Sequence, residues 1–295
     1  MSNDPVISAI QTETHQKHDT RRGLLVAIGR ELDRPVVAFF TSFRFPVALD
    51  DQDVQMLEDL LRTLDLSKGL AVMVSSPGGS GLAAERIIRV LRSYSGTGEY
   101  WAIVPGQAKS AATMICLGAS RILMGPAAEL GPIDPQQIVR GKFVSVHHVI
   151  DSYHKLFQGA AQSDGNLEPY LQQLSNYEAS EISHLEAERD LAADMAVRCL
   201  QSGMMVGADA ADIKRKMQIF LQPQATKSHA RPIYHDEAKR CGLNVEVCDS
   251  RSDLWNNVYG FSVRASEYVG RHAAKAIETA EAAFHMPVPI SNDED

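Results

Sequence analysis

The chain has 295 residues, 44% hydrophobic and 22% charged, with a formal net charge of −8. That is an ordinary globular balance in a chain long enough to bury a full core, and with no basic stripe it argues against a nucleic-acid protein. Cys116, Cys199, Cys241 and Cys248 form no CxxC pair and no zinc spacing with histidine, the N-terminus lacks a basic-then-apolar signal pattern, and no apolar run approaches the ~20 residues that span a bilayer. The expectation is a cytoplasmic protein with reduced thiols, no metal, no cofactor, and neither membrane nor nucleic acid among its partners.

Residues 1 to about 20 are polar. Val36-Val37-Ala38-Phe39-Phe40 reads as a buried strand, short, apolar and β-branched or aromatic. Asp50-Asp51-Gln52-Asp53 suits a helix start, and Val54, Leu57, Leu60 and Leu61 follow at helical spacing. LAVMVSS is a second strand, Pro77 to Gly81 a turn, and LAAERIIRVLRSY a helix with Ile87, Val90 and Leu91 inward. Glu99 to Val104 is a third strand, Ala111 to Ala119 a buried helix, and Arg121 to Met124 a fourth strand. Such alternation predicts an α/β fold with a parallel sheet wrapped by helices. Residues 143 to about 204 read as mostly helical, interrupted at Gln162 to Asn166. HDEAKRC is a short helix stopped by Gly242, and LNVEVC is a strand. From 262 an Ala-rich amphipathic helix leads to an acidic tail, PVPISNDED.

Two small-residue turns follow successive strands, where an open α/β fold places its site. In Ser75-Ser76-Pro77-Gly78-Gly79 the glycines allow a sharp turn and leave N–H groups able to donate to an anionic oxygen. In Gln107-Ala108-Lys109-Ser110-Ala111-Ala112-Thr113 a serine at a strand-to-helix turn projects its hydroxyl outward, and the helix N-terminus favours negative charge beside it. Ser110 is thus a nucleophile candidate, with a helix N-cap as its plain alternative. A phosphate loop is disfavoured, since neither GxxxxGK[ST] nor GxGxxG occurs.

SSPGGSGLAAERIIRVLRS, AKSAATMICLGASRILMGPAAELGPIDPQ and HARPIYHDEAKRCGLNVEV together resemble the serine dehydrogenase proteinase family. Its fold is similar to ClpP, signal peptide peptidase A and the crotonases, and the resemblance covers roughly residues 30 to 250. It implies a ClpP/crotonase-like parallel sheet with surrounding helices and a helical C-terminal part. It also implies a serine peptidase with Ser110 as nucleophile and an oxyanion hole from the N–H of Gly78 or Gly79 together with that of Ala111. The corresponding division is a polar segment at 1–25, the peptidase domain at 26–262, and a C-terminal helix with acidic tail at 263–295.

A serine hydroxyl needs a neighbouring base. Lys109 adjoins Ser110 and should point elsewhere. In the Ser–Lys relatives a helix after the serine supplies a lysine, and His148 stands about where the family carries it, flanked by Lys142 and Lys155. The resemblance therefore puts His148 forward as base, with His229 in reserve as base or orienting partner. Asp134, in GPIDPQ, either orients the base or is a turn residue. The expected partners are a peptide or protein substrate and further copies of the chain, because relatives of the fold assemble into rings or stacked trimers. The 143–204 region and the C-terminal helix are the candidate assembly surfaces. Two other readings stay open: a crotonase-like acyl-CoA enzyme, and a catalytically silent scaffold that binds peptides or a partner protein.

Overall fold

The structure, a computed structural model, describes residues 18–288 together with Ile7 and Ile10. The acidic tail and nearly all of the first polar stretch lie outside the described residues. In chain order the first half comprises α1 (Asp19–Leu32), β1 (Val36–Thr41), α2 (Asp51–Leu61), β2 (Leu70–Ser75), α3 (Gly81–Tyr94), β3 (Tyr100–Val104), β4 (Gln107–Ala108), α4 (Ala111–Leu117), β5 (Arg121–Met124) and β6 (Glu129–Leu130). The second half has β7 (Gln136–Val139), β8 (Lys142–Ser145), α5 (Val146–Ala161), α6 (Glu168–Leu174), α7 (Ala179–Ser202), α8 (Ala210–Lys216), α9 (Gln218–Leu221) and α10 (Pro223–Thr226). It ends with α11 (His235–Arg240), β9 (Val245–Val247), α12 (Asp253–Arg271), β10 (Lys275–Glu278) and β11 (Ala283–Met286).

The main sheet is seven-stranded, ordered β11-β10-β1-β2-β3-β5-β9. From β1 to β9 every neighbour is parallel, which explains the unbroken apolar runs: strands covered on both faces have no solvent side to alternate with. Val37, Phe39, Val72, Val74, Ala102 and Val104 face a core shared with α2, α3, α4 and α7. Val36, Ala38, Phe40, Ala71, Met73 and Ile103 face the opposite way, against α1 and α12. The expected α/β architecture is present.

Two sequence expectations are corrected. Residues 143–145 belong to β8, a strand of a separate hairpin with β7, and helix begins only at Val146. Residues 19–25, at the end of the polar segment, belong to α1, and Arg21 is fully buried. The Ala-rich stretch from 262 is helical only to Arg271; residues 275–278 are β10, antiparallel to β1 with Ala38 opposite Glu278, and β11 completes the edge. Composition favours helix there, but Ala276 and Ile277 enter the two opposite cores and so need the alternation of a strand. Tertiary burial overrides propensity.

Strand β10 also carries two buried charges. Glu278 is 1% exposed and receives Arg21 through both carboxylate oxygens, one bond being 2.9 Å, while His285 Nε2 lies 2.8 Å from it. Burial alone would raise this carboxyl, but the bonds from Arg21 and His285 outweigh it and hold the pKa at about 2. A carboxylate depressed in the folded state adds stability above its unfolded pKa and loses it as pH falls toward the folded one. Stability should therefore decline from about pH 5 toward 2 by roughly 3 kcal/mol from this group. Glu278→Gln should lower stability at pH 7 by about 3–5 kcal/mol, leaving Arg21 buried without its anion, and should flatten this acid limb in urea melts. An unaltered limb would show that the pair is not the titrating group.

Candidate active site

The parallel register brings the ends of β1, β2 and β3 to one edge of the sheet, and three turns converge beyond them. Ser76 bridges Ala108: its N–H donates to Gln107 O at 3.1 Å, and Lys109 N–H donates to Ser76 O at 3.0 Å. Leu49 bridges Gly79 on the other side, with Leu49 N–H donating to Gly78 O and Ser80 N–H to Leu49 O, both at 2.8 Å. The glycine turn is thus clamped between the segment entering α2 and the segment entering α4.

Only glycine fits there. Gly78 has φ +107° and a Cβ on it would lie 2.7 Å from Lys109 O and from Ser110 Cβ; Gly79 has φ +151° and its Cβ would lie 2.3 Å from Leu49 O. Gly78 N–H is taken by Ser76 Oγ at 3.1 Å. A residue bonded through both neighbours in a parallel bridge directs its own N–H to the opposite edge, so Gly79 N–H points away from Leu49. Among the described residues neither Gly79 N–H nor Ala111 N–H donates to another group of the protein.

Ser110 precedes α4 with φ 51° and ψ −121°, in a region L-residues rarely occupy. It stands at the N-cap position, yet its side chain makes no capping hydrogen bond. The bland role is therefore not the one it plays. Buried packing holds the strained turn: every residue of α4 is buried, and Thr113 Oγ1 donates to Ala108 O at 2.7 Å while accepting Gly131 N–H at 3.0 Å.

Strand β6 pairs with β4 in parallel, and Leu130 bridges Ile233 in antiparallel sense. These pairings run the segments of Ser110, Asp134 and His229 alongside one another. His229 Nδ1 lies 2.8 Å from Asp134 Oδ1, with the histidine side chain 22% exposed and the carboxylate 0%. Asp134 Oδ2 is buried and has no partner among the described residues. Sequence singled out both residues but had no signal for their contact, which spans 95 positions.

His148 is exposed on α5, and among the described residues no hydrogen bond joins Ser110 to His148, His229 or Asp134. Its neighbour His147, not singled out by sequence, is half-buried; burial lowers its pKa, and the negative charge of Asp134 opposes that. Val146 N–H donates to Pro135 O at 3.0 Å, which sets the start of α5 against the residue following Asp134. Lys142 and Lys155 are exposed, Lys109 is tied to Glu129 at 2.6 Å and to Leu130 O at 3.3 Å, and among the described residues no lysine is hydrogen-bonded to Ser110. Burial raises all four cysteine thiols, those of Cys116 and Cys199 to about 12. That leaves them protonated and unreactive.

Two uncharacterized proteins of Methanocaldococcus jannaschii are similar to this chain. One is 35% identical over 85 residues, 29% of this chain and 29% of its own length; the other is 33% identical over 82 residues, 27% of each. The chain thus spans under three tenths of the length of these curated relatives. No helix of the described residues is long and apolar enough to cross a membrane. Residues 35–155, which hold the glycine turn, the elbow serine and Asp134, match the model of the ClpP-like SDH-type serine proteinases. Through that segment the chain is similar to the ClpP-like SDH-type serine proteinases, and the parallel sheet that carries it agrees with that likeness.

Proposed function

We propose that this chain is a serine peptidase that cleaves peptide bonds through an acyl-enzyme on Ser110, with His229 as general base, Asp134 as its orienting partner, and the N–H groups of Gly79 and Ala111 as oxyanion donors. The observation that carries this reading is Ser110 itself: a strained, non-capping serine packed against glycines that can be nothing else. Backbone strain that the surrounding structure maintains clusters at functional sites.

The chemistry follows from the donors present. With Nδ1–H donating to Asp134, His229 keeps Nε2 as an acceptor. Ser110 Oγ adds to the scissile carbonyl carbon while its proton passes to Nε2, and the resulting oxyanion is met by Gly79 and Ala111 N–H. The leaving amine takes the proton from Nε2 as the C–N bond breaks, leaving Ser110 as an ester. Water, deprotonated in turn by Nε2, releases the acid and restores the hydroxyl. Catalytic hydrogen bonds commonly form only as substrate binds, so the lack of a bond from Ser110 to His229 is compatible with this role. His229 is preferred over His148 because it has a buried carboxylate to orient it, whereas His148 is exposed.

The family match supports a peptide substrate and an assembly of several copies. The β7–β8 hairpin adds to that: Ile138 is 67% exposed and Phe143 74%. Apolar surface of this kind is what a second copy covers.

Ser110→Ala should abolish fluorophosphonate labelling and peptide hydrolysis with melting temperature unchanged; undiminished turnover would sink the assignment. His229→Ala should cost several orders of magnitude in kcat and Asp134→Asn about 10⁴-fold, while His148→Ala leaves kcat at the wild-type value. The reverse order among these variants would return the base to His148. Gly78→Ala, whose methyl forces the turn off the elbow, should slow labelling by ~10²-fold or more. Wild-type protein that no fluorophosphonate labels would favour the silent scaffold.

A further inference from the structure

Lys275, on β10, is far from Ser110 in sequence and takes no part in the chemistry above. Its side chain is 1% exposed, and its ammonium donates to Asp53 Oδ1 at 2.5 Å, Ala48 O at 2.9 Å and Asp50 Oδ2 at 3.5 Å. Asp53 is fully buried and uses its other oxygen to accept Asp50 N–H at 2.8 Å, the reciprocal half of the capping box that starts α2. Three consecutive residues are therefore involved: Ala48 through its carbonyl, Asp50 through its N–H and carboxylate, and between them Leu49, whose backbone bonds to both neighbours of Gly79.

From this arrangement we infer that Lys275 and Asp53 are positioning residues for the oxyanion turn, holding Ala48–Asp50 so that Leu49 fixes the direction of Gly79 N–H. The inference rests on the proposed role of that N–H. A buried ion pair needed only for stability could bind carboxylates alone. This one spends an ammonium hydrogen on the single carbonyl that precedes Leu49, and Gly79 packs directly on the Leu49 backbone, whose atoms would lie 2.3 and 2.4 Å from a Cβ placed on it. Loosening the segment lets Gly79 N–H rotate from its aim, a loss felt where negative charge develops on the substrate oxygen.

The test uses Lys275→Met, and the pair Lys275→Met with Asp53→Asn, which strands no buried charge and decides the matter should the single variant not fold. Amide hydrogen exchange is read at Leu49 and Ser80, with Ala102 in β3 as the core reference. The fluorophosphonate labelling rate at Ser110, and kcat and KM on a peptide, are read on the same protein. The expected result is exchange at Leu49 and Ser80 ~10-fold or more faster with Ala102 unchanged, together with labelling and kcat ~10-fold or more slower and KM within ~3-fold. Folded variants with wild-type labelling overturn the inference, whether or not exchange quickens. So does exchange that rises equally at Ala102, since the pair would then support only global stability. If wild-type protein is not labelled at all, the proposed peptidase fails, and the exchange measurement alone decides whether Lys275 holds the turn.

Discussion

The site depends on backbones approaching closer than any side chain permits. Gly79 lies against Leu49, and Gly78 against Lys109 and Ser110, each at distances a Cβ would violate. These contacts join the segment before α2, the turn after β2 and the elbow before α4 into one body. The parallel sheet makes the approach feasible, because β1, β2 and β3 end on the same side. Strain at Ser110, on the order of 1–3 kcal/mol for such a conformation, persists because α4 behind it is buried along its whole length.

Three buried carboxylates have partners across long stretches of sequence, and they differ in how fully they are satisfied. Glu278 has both oxygens engaged by Arg21 and one also by His285. Asp53 engages Lys275 with one oxygen and Asp50 N–H with the other. Both pairs pin β10 to the N-terminal half of the chain, and saturation is what a structural carboxylate needs when water is excluded. Asp134 is different. It meets His229 with one oxygen, while the other is buried and bonded to nothing among the described residues. In the proposed reading that carboxylate orients the His229 imidazole through Nδ1 and leaves Nε2 for the serine proton.

What sequence made legible was local. The buried strands announced themselves by apolar runs, and the two turns by small residues at strand ends. Strand β10 was missed because Lys275 and Glu278 read as the solvated face of an Ala-rich helix; nothing nearby reveals that Asp53 and Arg21 lie waiting to neutralise them. Strands β4 and β6 escaped because two-residue strands have no period. The contact of His229 with Asp134 is set by the bridge between Leu130 and Ile233, a pairing no spacing encodes.

The orientation of His148 shows where a signal was present and unused. Val146 and Ile150 are buried on α5, and Val149 and Tyr153 pack beside them, so these four mark its inner face. At about 100° per residue, His147 lies ~100° from Val146 and His148 ~200°, on the far side of the helix. Helical periodicity alone thus puts His148 outward, whatever residue a relative carries there. The base proposed above lies instead on another element, where a buried acid already holds the imidazole. His229 meets that condition through a segment that antiparallel pairing lays beside β6. A serine–histidine–aspartate arrangement can be rebuilt from different elements because it asks for an ordered set of contacts, not for fixed places in a chain.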